Sequence, residues 1–363
     1  MVSLNPIKLE MKAAVLLGLN EPLSVISGVE YSIPSRGQVL VKLAYSGVCR
    51  SQLMEIRGGR GPDAYLPHLL GHEGSGKVIE VGEGVSKVSP GDLVVLGWIK
   101  GSGLESGGVQ YNCNNLSQKI NAGGVTTFNE YALVSENRVV PLPAGVPLDI
   151  AVLFGCAVPT GAGIITNDIQ PIAGSSLAVF GLGGIGMSAL MATMLFKCEK
   201  VVAVDVSSDK LALAGSFGAT HTIDASINDP VSEIRALTGG LGVDYAVEAS
   251  GQVKVIEQAF ASTRRDGGEC VFASHPEHGT TISIDPYELI CGKKIRGSWG
   301  GNSNPDRDIP MFAQLYLEGK LPLEKLITKR YLLEEINEAL DDLEHLRVGR
   351  PLIEIDKTIG QSI

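Results

Sequence analysis

Short apolar runs rich in β-branched residues, broken by glycines, fill the first part of the chain. "MKAAVLL", "GQVLVKLAYSGV", "GSGKVIEVGEGV" and "GDLVVLGW" predict the strands of an irregular, largely antiparallel module. After residue 157 the pattern becomes an alternation. "SSLAVFG" predicts a strand and "GGIGMSALMATMLF" a helix; "KVVAVDV" and "SSDKLALAGSFG" repeat the pair. "GVDYAVEAS", "GECVFAS" and "KIRGSW" continue the strands. Alternation of this kind predicts a doubly wound parallel sheet, so the fold class is α/β. Near the end, "LEEINEALDDLEHL" predicts a helix and "RPLIEI" a strand that could return to the first module.

Length makes this a two-domain chain, because 363 residues exceed one ordinary core. The expected division is 1–157 with 304–363, and 158–303. Charged residues are 19% and hydrophobic residues 44%, a globular balance. A net charge of -10 speaks against a nucleic acid or an anionic membrane as partner. Apolar stretches such as "LMATMLF" are too short to span a bilayer. "MVSLNPIKLEMKAAVLL" lacks the layout of a secretory leader. The six cysteines, at 49, 113, 156, 198, 270 and 291, form no close pairs, which reads as reduced thiols in the cytoplasm.

"VFGLGGIG" sets Gly181, Gly183 and Gly186 in the G-x-G-x-x-G pattern, with Gly184 among them, between a predicted strand and a predicted helix. Such glycines let the backbone approach a pyrophosphate, and the helix start supplies unpaired N–H groups. Asp205 follows Gly186 by nineteen positions, where a dinucleotide fold places the carboxylate for the adenosine ribose. A carboxylate there repels a 2′-phosphate, so NAD is expected rather than NADP.

Cys49 in "GVCRSQLMEI", His72 in "GHEGSG" and Cys156 in "LFGCAVPTG" together make two thiolates and an imidazole, a donor set that suits catalytic zinc with one open position. Spacing alone does not join residues so far apart, and each could be a core residue. With these motifs in order, and with G-H-E-x2-G-x5-G-x2-V met from Gly71 to Val85, the chain resembles the zinc-dependent alcohol dehydrogenases of the medium-chain dehydrogenase/reductase superfamily. The resemblance is nearest to the class III, glutathione-dependent formaldehyde dehydrogenase branch.

That resemblance implies a GroES-like catalytic domain beside a Rossmann domain, zinc on Cys49, His72 and Cys156, and reversible NAD-linked oxidation of an alcohol. It implies Ser51 as the first proton acceptor, Glu73 as a carboxylate behind the zinc, and Thr160 beside the nicotinamide. Arg50 and Arg350 would hold the pyrophosphate; Asp205 and Lys210 would hold the ribose. "IDPYELICGKKIRGSWGG" matches the segment whose strand pairs across a two-fold axis, so a homodimer is the minimum and a homotetramer is open.

Three departures alter the picture. The lobe that holds a structural zinc in relatives has only Cys113 here, so one zinc per chain is expected. Met54 stands where many relatives have the histidine that ends the proton relay. Gln52 replaces an aspartate that orients the zinc histidine. Arg57 and Arg60 follow Cys49 closely, Trp98 matches a pocket wall, and "SHPEHG" carries His275 and His278. These side chains lead to an expected polar substrate, such as a sugar-derived, cyclitol-like or carboxylated alcohol. The rival readings are S-hydroxymethylglutathione oxidation, a zinc-free reductase and a non-catalytic nucleotide-binding protein.

Overall fold

The computed structural model describes residues 9–360. The first eight residues, part of the stretch read for a leader, lie outside the described residues. Two compact units emerge. One runs to Gly155 and resumes at Thr328; the other spans Cys156–Ile327.

The first unit combines a closed barrel and a seven-stranded sheet. The barrel is formed by Glu10–Leu16, Ser24–Glu30, Val109–Cys113, Ile120–Ala122 and His68–Leu69. Met11, Ala13, Val15 and Val29 fill it together with Tyr111, Cys113 and Ile120. In the seven-stranded sheet, Gln38–Gly47 lies between Glu73–Val81 and the returning strand Pro351–Glu354. The register Leu352↔Gly47 and Glu354↔Tyr45 makes that return antiparallel. Val39, Val41, Leu43, Val78, Val94 and Leu96 bury one face of this sheet.

The second unit is a six-stranded parallel sheet. Its order is His221–Asp224, Lys200–Asp205, Ser176–Phe180, Tyr245–Glu248, Glu269–Phe272 and Lys294–Gly297. In sequence terms this is 3-2-1-4-5-6, the dinucleotide-binding order. Ala178, Phe180, Val202, Val204, Ile234 and Ala246 pack one face. The runs are apolar throughout because helices cover both faces.

One boundary differs from expectation. Residues 304–327 belong to the parallel-sheet unit, not to the first. The helix Pro305–Leu317 buries Ile309, Phe312 and Ala313 and packs on the helix Ala157–Gly163. Its apolar side therefore completes the parallel-sheet unit, and the chain crosses back only at Thr328. Among the described residues, no single helix is long and apolar enough to cross a membrane.

Candidate active site

Helix Arg50–Ile56 starts on Cys49, whose extended backbone (φ -109°, ψ 148°) is that of an N-cap. Gln52, three residues on, closes a capping box: the Cys49 N–H donates to Gln52 Oε1 at 2.7 Å. Leu53 and Ile56 anchor the opposite side of the helix among Ile336, Ala339, Leu340 and Leu343. Burying each such side chain contributes about 1.5–3 kcal/mol. This anchoring fixes Cys49 and Ser51 at the first turn. The Ser51 hydroxyl oxygen is buried and has no hydrogen-bond partner.

His72 lies immediately before the strand Glu73–Val81. Its Nδ1 lies 2.6 Å from Gln52 Nε2. Cys156 follows the 3₁₀ turn Val152–Gly155, which packs against Leu93–Gly97 and Glu73–Val81. The turn therefore carries Cys156 toward the other two residues. The ligand atoms of Cys49, His72 and Cys156 all lie within 4.8 Å of one another. Two sulfurs and one imidazole nitrogen so gathered are the soft donor set of a three-ligand zinc site, and the residues present fit that ion.

Glu73 is fully buried and paired with the buried Arg350. A side chain at Gly47 would collide with the Glu73 carboxylate, so glycine there makes room for the pair. Glu73 Oε2 has no partner. Arg350, expected on a pyrophosphate, donates from Nη2 to Glu73, and its Nε has no partner. Thr160 lies in the helix Ala157–Gly163, is 3% exposed, and its hydroxyl also has no partner. Arg50 is exposed and Met54 half-buried.

In the parallel-sheet unit, Gly181 has φ +85° and its N–H donates to the Val204 carbonyl at 2.9 Å. A side chain at Gly186 would strike the Gly181 carbonyl, so the turn closes only with glycine there. Gly183 caps the helix Gly184–Thr193 and faces open space, with nothing within 4 Å of an added Cβ. This cradle before a helix start fits a diphosphate. Asp205 braces it: Oδ2 accepts from the Leu182 N–H at 2.6 Å, and Oδ1 from Val206 and Ser207 at 2.8 and 2.9 Å. Lys210 is half-buried in the following helix, Ser208–Ala214.

Arg57 donates to both carboxylate oxygens of Glu344, and Arg60 pairs with Glu55 at 3.3 Å. Their charge is thus met by neighbouring carboxylates. His275 and His278 are exposed, and Trp98 is half-buried. In the rebuilt lobe, Cys113 packs in the barrel core with Tyr111 and Ile120. Carboxylates hold that lobe. Glu136 accepts from the Ser86, Lys87 and Leu104 backbone N–H groups at 2.7–2.9 Å. Lys100, with Asn137 and Ser135, holds the Glu105 carboxyl down at about 2. The roles of Glu136 and Glu105 were not foreseen, because an isolated glutamate in a glycine-rich stretch carries no pattern.

Residues 35–144 match the alcohol dehydrogenase GroES-like domain, and residues 184–317 match the zinc-binding dehydrogenase domain. The chain is 30% identical to a probable S-(hydroxymethyl)glutathione dehydrogenase 1 of Schizosaccharomyces pombe, over 95% of this chain and 97% of that protein. It superposes on an alcohol dehydrogenase zinc-binding domain protein from Burkholderia ambifaria with a TM-score of 0.87, at 32% identity, covering 95% of this chain and 99% of that one. The benzyl alcohol dehydrogenase of Acinetobacter calcoaceticus gives 0.86 at 29% identity over the same shares.

Proposed function

Since this chain belongs to the zinc-dependent alcohol dehydrogenases of the medium-chain dehydrogenase/reductase superfamily, we propose that it oxidises an alcohol reversibly to an aldehyde or ketone, with NAD as acceptor. The observation that carries the reading is the convergence of Cys49, His72 and Cys156 beside the buried, partnerless Ser51 hydroxyl. When bound, zinc supplies the Lewis acidity that makes an alcohol hydroxyl acidic, and the nicotinamide supplies the hydride acceptor. The protein's own part is positional. Cys49, His72 and Cys156 would hold the metal; Ser51 Oγ takes the alcohol's proton as it passes its own hydroxyl proton on to water or a cofactor hydroxyl. Met54 is a thioether and carries no proton, so the proton that leaves Ser51 is passed on outside this helix. Thr160 sets the nicotinamide's place, and the Gly181–Gly186 turn holds the diphosphate. The site is expected to hold about one zinc per chain, and metal analysis of purified protein checks this. A reproducible value near two would place a second zinc in the chain.

The substrate reading narrows to a neutral alcohol, plain or polyhydroxylated. A polar substrate, polyhydroxylated or anionic, was expected because Arg57 and Arg60 would otherwise lack partners; Glu344 and Glu55 already meet their charge, which removes the argument for an anionic group. The measurement is kcat/KM for benzyl alcohol, ethanol, polyols, a carboxylated alcohol and S-hydroxymethylglutathione. The neutral alcohols should lead. A clear preference for either anionic compound would reverse the assignment.

A second copy of the chain is the proposed partner. Lys294–Gly297 is the outermost strand of its sheet, and Ile290 and Trp299, which flank it, are 79% and 81% exposed. An open edge bordered by large apolar side chains calls for strand pairing. Light scattering should give twice the chain mass, or four times if dimers pair. A monomer at micromolar concentration would defeat the proposal.

A further inference from the structure

We propose that Gln52 is a positioning residue that lowers the zinc affinity of its own site, because on metal binding both neighbours of its buried amide donate and its single oxygen can face only one of them. The inference rests on the reading that Cys49, His72 and Cys156 hold zinc. Gln52 is 1% exposed, and its amide sits between two groups. On one side the Cys49 N–H donates to Oε1 at 2.7 Å. On the other, Nε2 is 2.6 Å from Nδ1 of His72.

The Cys49 N–H can only donate. His72 Nδ1 can play either role, because a neutral imidazole carries one proton on one of its two nitrogens. With the amide held as the capping box holds it, Nε2 of Gln52 donates and Nδ1 accepts, so the imidazole proton is on Nε2 of the ring. Since Nδ1 faces Gln52, ring Nε2 is the nitrogen left for the metal. A metal there requires that nitrogen's lone pair, and the proton moves to Nδ1. Both neighbours of the amide then donate, and its one oxygen faces only one of them. Turning it over only changes which donor faces the amide nitrogen. A carboxylate at the same place has two acceptors and serves both. Outer partners of this kind change metal affinity by about 10–100-fold. Gln52 thus makes a site whose metal exchanges more readily than the sulfur-rich donor set alone would allow.

The metal-bound ring N–H is the more polarised donor and takes the amide oxygen, so zinc loading releases the Cys49 N–H. The test uses the full-length protein, stripped by chelation and titrated with zinc in competition with a fluorescent indicator. Gln52→Glu should bind zinc at least about tenfold more tightly than the unmutated protein. Because glutamate also adds charge, a second readout separates the two effects. Residue-resolved hydrogen exchange at the Cys49 amide should quicken on zinc loading in the unmutated protein and stay unchanged in Gln52→Glu. A zinc affinity no higher in Gln52→Glu, or a Cys49 amide that zinc does not expose in the unmutated protein, overturns the inference. If Gln52→Glu does not fold, the exchange measurement on the unmutated protein decides alone. An unmutated protein that binds no zinc would overturn the metal reading itself, a distinct result.

Discussion

Cys49→Ala is expected to lower kcat/KM for alcohol oxidation by at least about a thousandfold, corresponding to the loss of roughly 4 kcal/mol of Lewis-acid stabilisation. Removing this thiolate leaves one sulfur and one imidazole, too few for a tetrahedral zinc with an open position. Fold and cofactor binding should survive. The capping contact of helix Arg50–Ile56 is made by the Cys49 backbone N–H to Gln52, which alanine retains. The glycine turn at Gly181–Gly186 closes on Val204 and Asp205 of its own unit. Zinc content, steady-state kinetics and calorimetric titration with NADH together check the expectation. A variant that keeps more than about a tenth of the turnover would show that Cys49 is not a zinc ligand.

How far these features are legible in the sequence depends on whether a local pattern encodes them. The parallel sheet is legible because Ser176–Phe180, Lys200–Asp205 and Tyr245–Glu248 have apolar centres and each is followed by a helical stretch. The dinucleotide turn is legible because sterics demand glycine at fixed spacings. The barrel strands Val109–Cys113 and Ile120–Ala122 are not, since "GGVQYNCNN" has too few apolar positions to read as a strand and gains order only by pairing. Helix Pro305–Leu317 reads as apolar on one side, but nothing local says which unit that side joins.

Partners distant in sequence are the least legible of all. Glu344 meets Arg57 across 287 positions, and Arg350 meets Glu73 across 277. Without those partners, Arg57 suggested a polar substrate, while the resemblance implied a pyrophosphate role for Arg350. With them, Arg57 braces the surface of its own unit and Arg350 neutralises a carboxylate that would be costly to bury alone. The Gln52 departure shows the same limit from the other side. Its residue type is plain in the sequence, but its effect on the metal follows from which atoms face the Cys49 N–H and His72 Nδ1.

Asp205 should make NAD bind at least about tenfold more tightly than NADP, a difference of ~1.4 kcal/mol. The cause is the carboxylate's repulsion of a 2′-phosphate at the ribose position. Asp205→Ser should bring the two affinities together, and it should also weaken both. The same carboxylate accepts the Leu182 N–H at 2.6 Å and those of Val206 and Ser207, so it holds the glycine turn against the end of Lys200–Asp205. Serine offers one oxygen to three donors, and the turn loses part of its preorganisation for the diphosphate. Fluorescence titration with NADH and NADPH separates the two contributions: the ratio of affinities reports the ribose contact, and their common fall reports the brace. Equal affinities in the unmutated protein, or a ratio that Asp205→Ser leaves in place, would move the ribose site away from Asp205. A ratio that collapses without any common fall would keep the ribose contact and remove the bracing role.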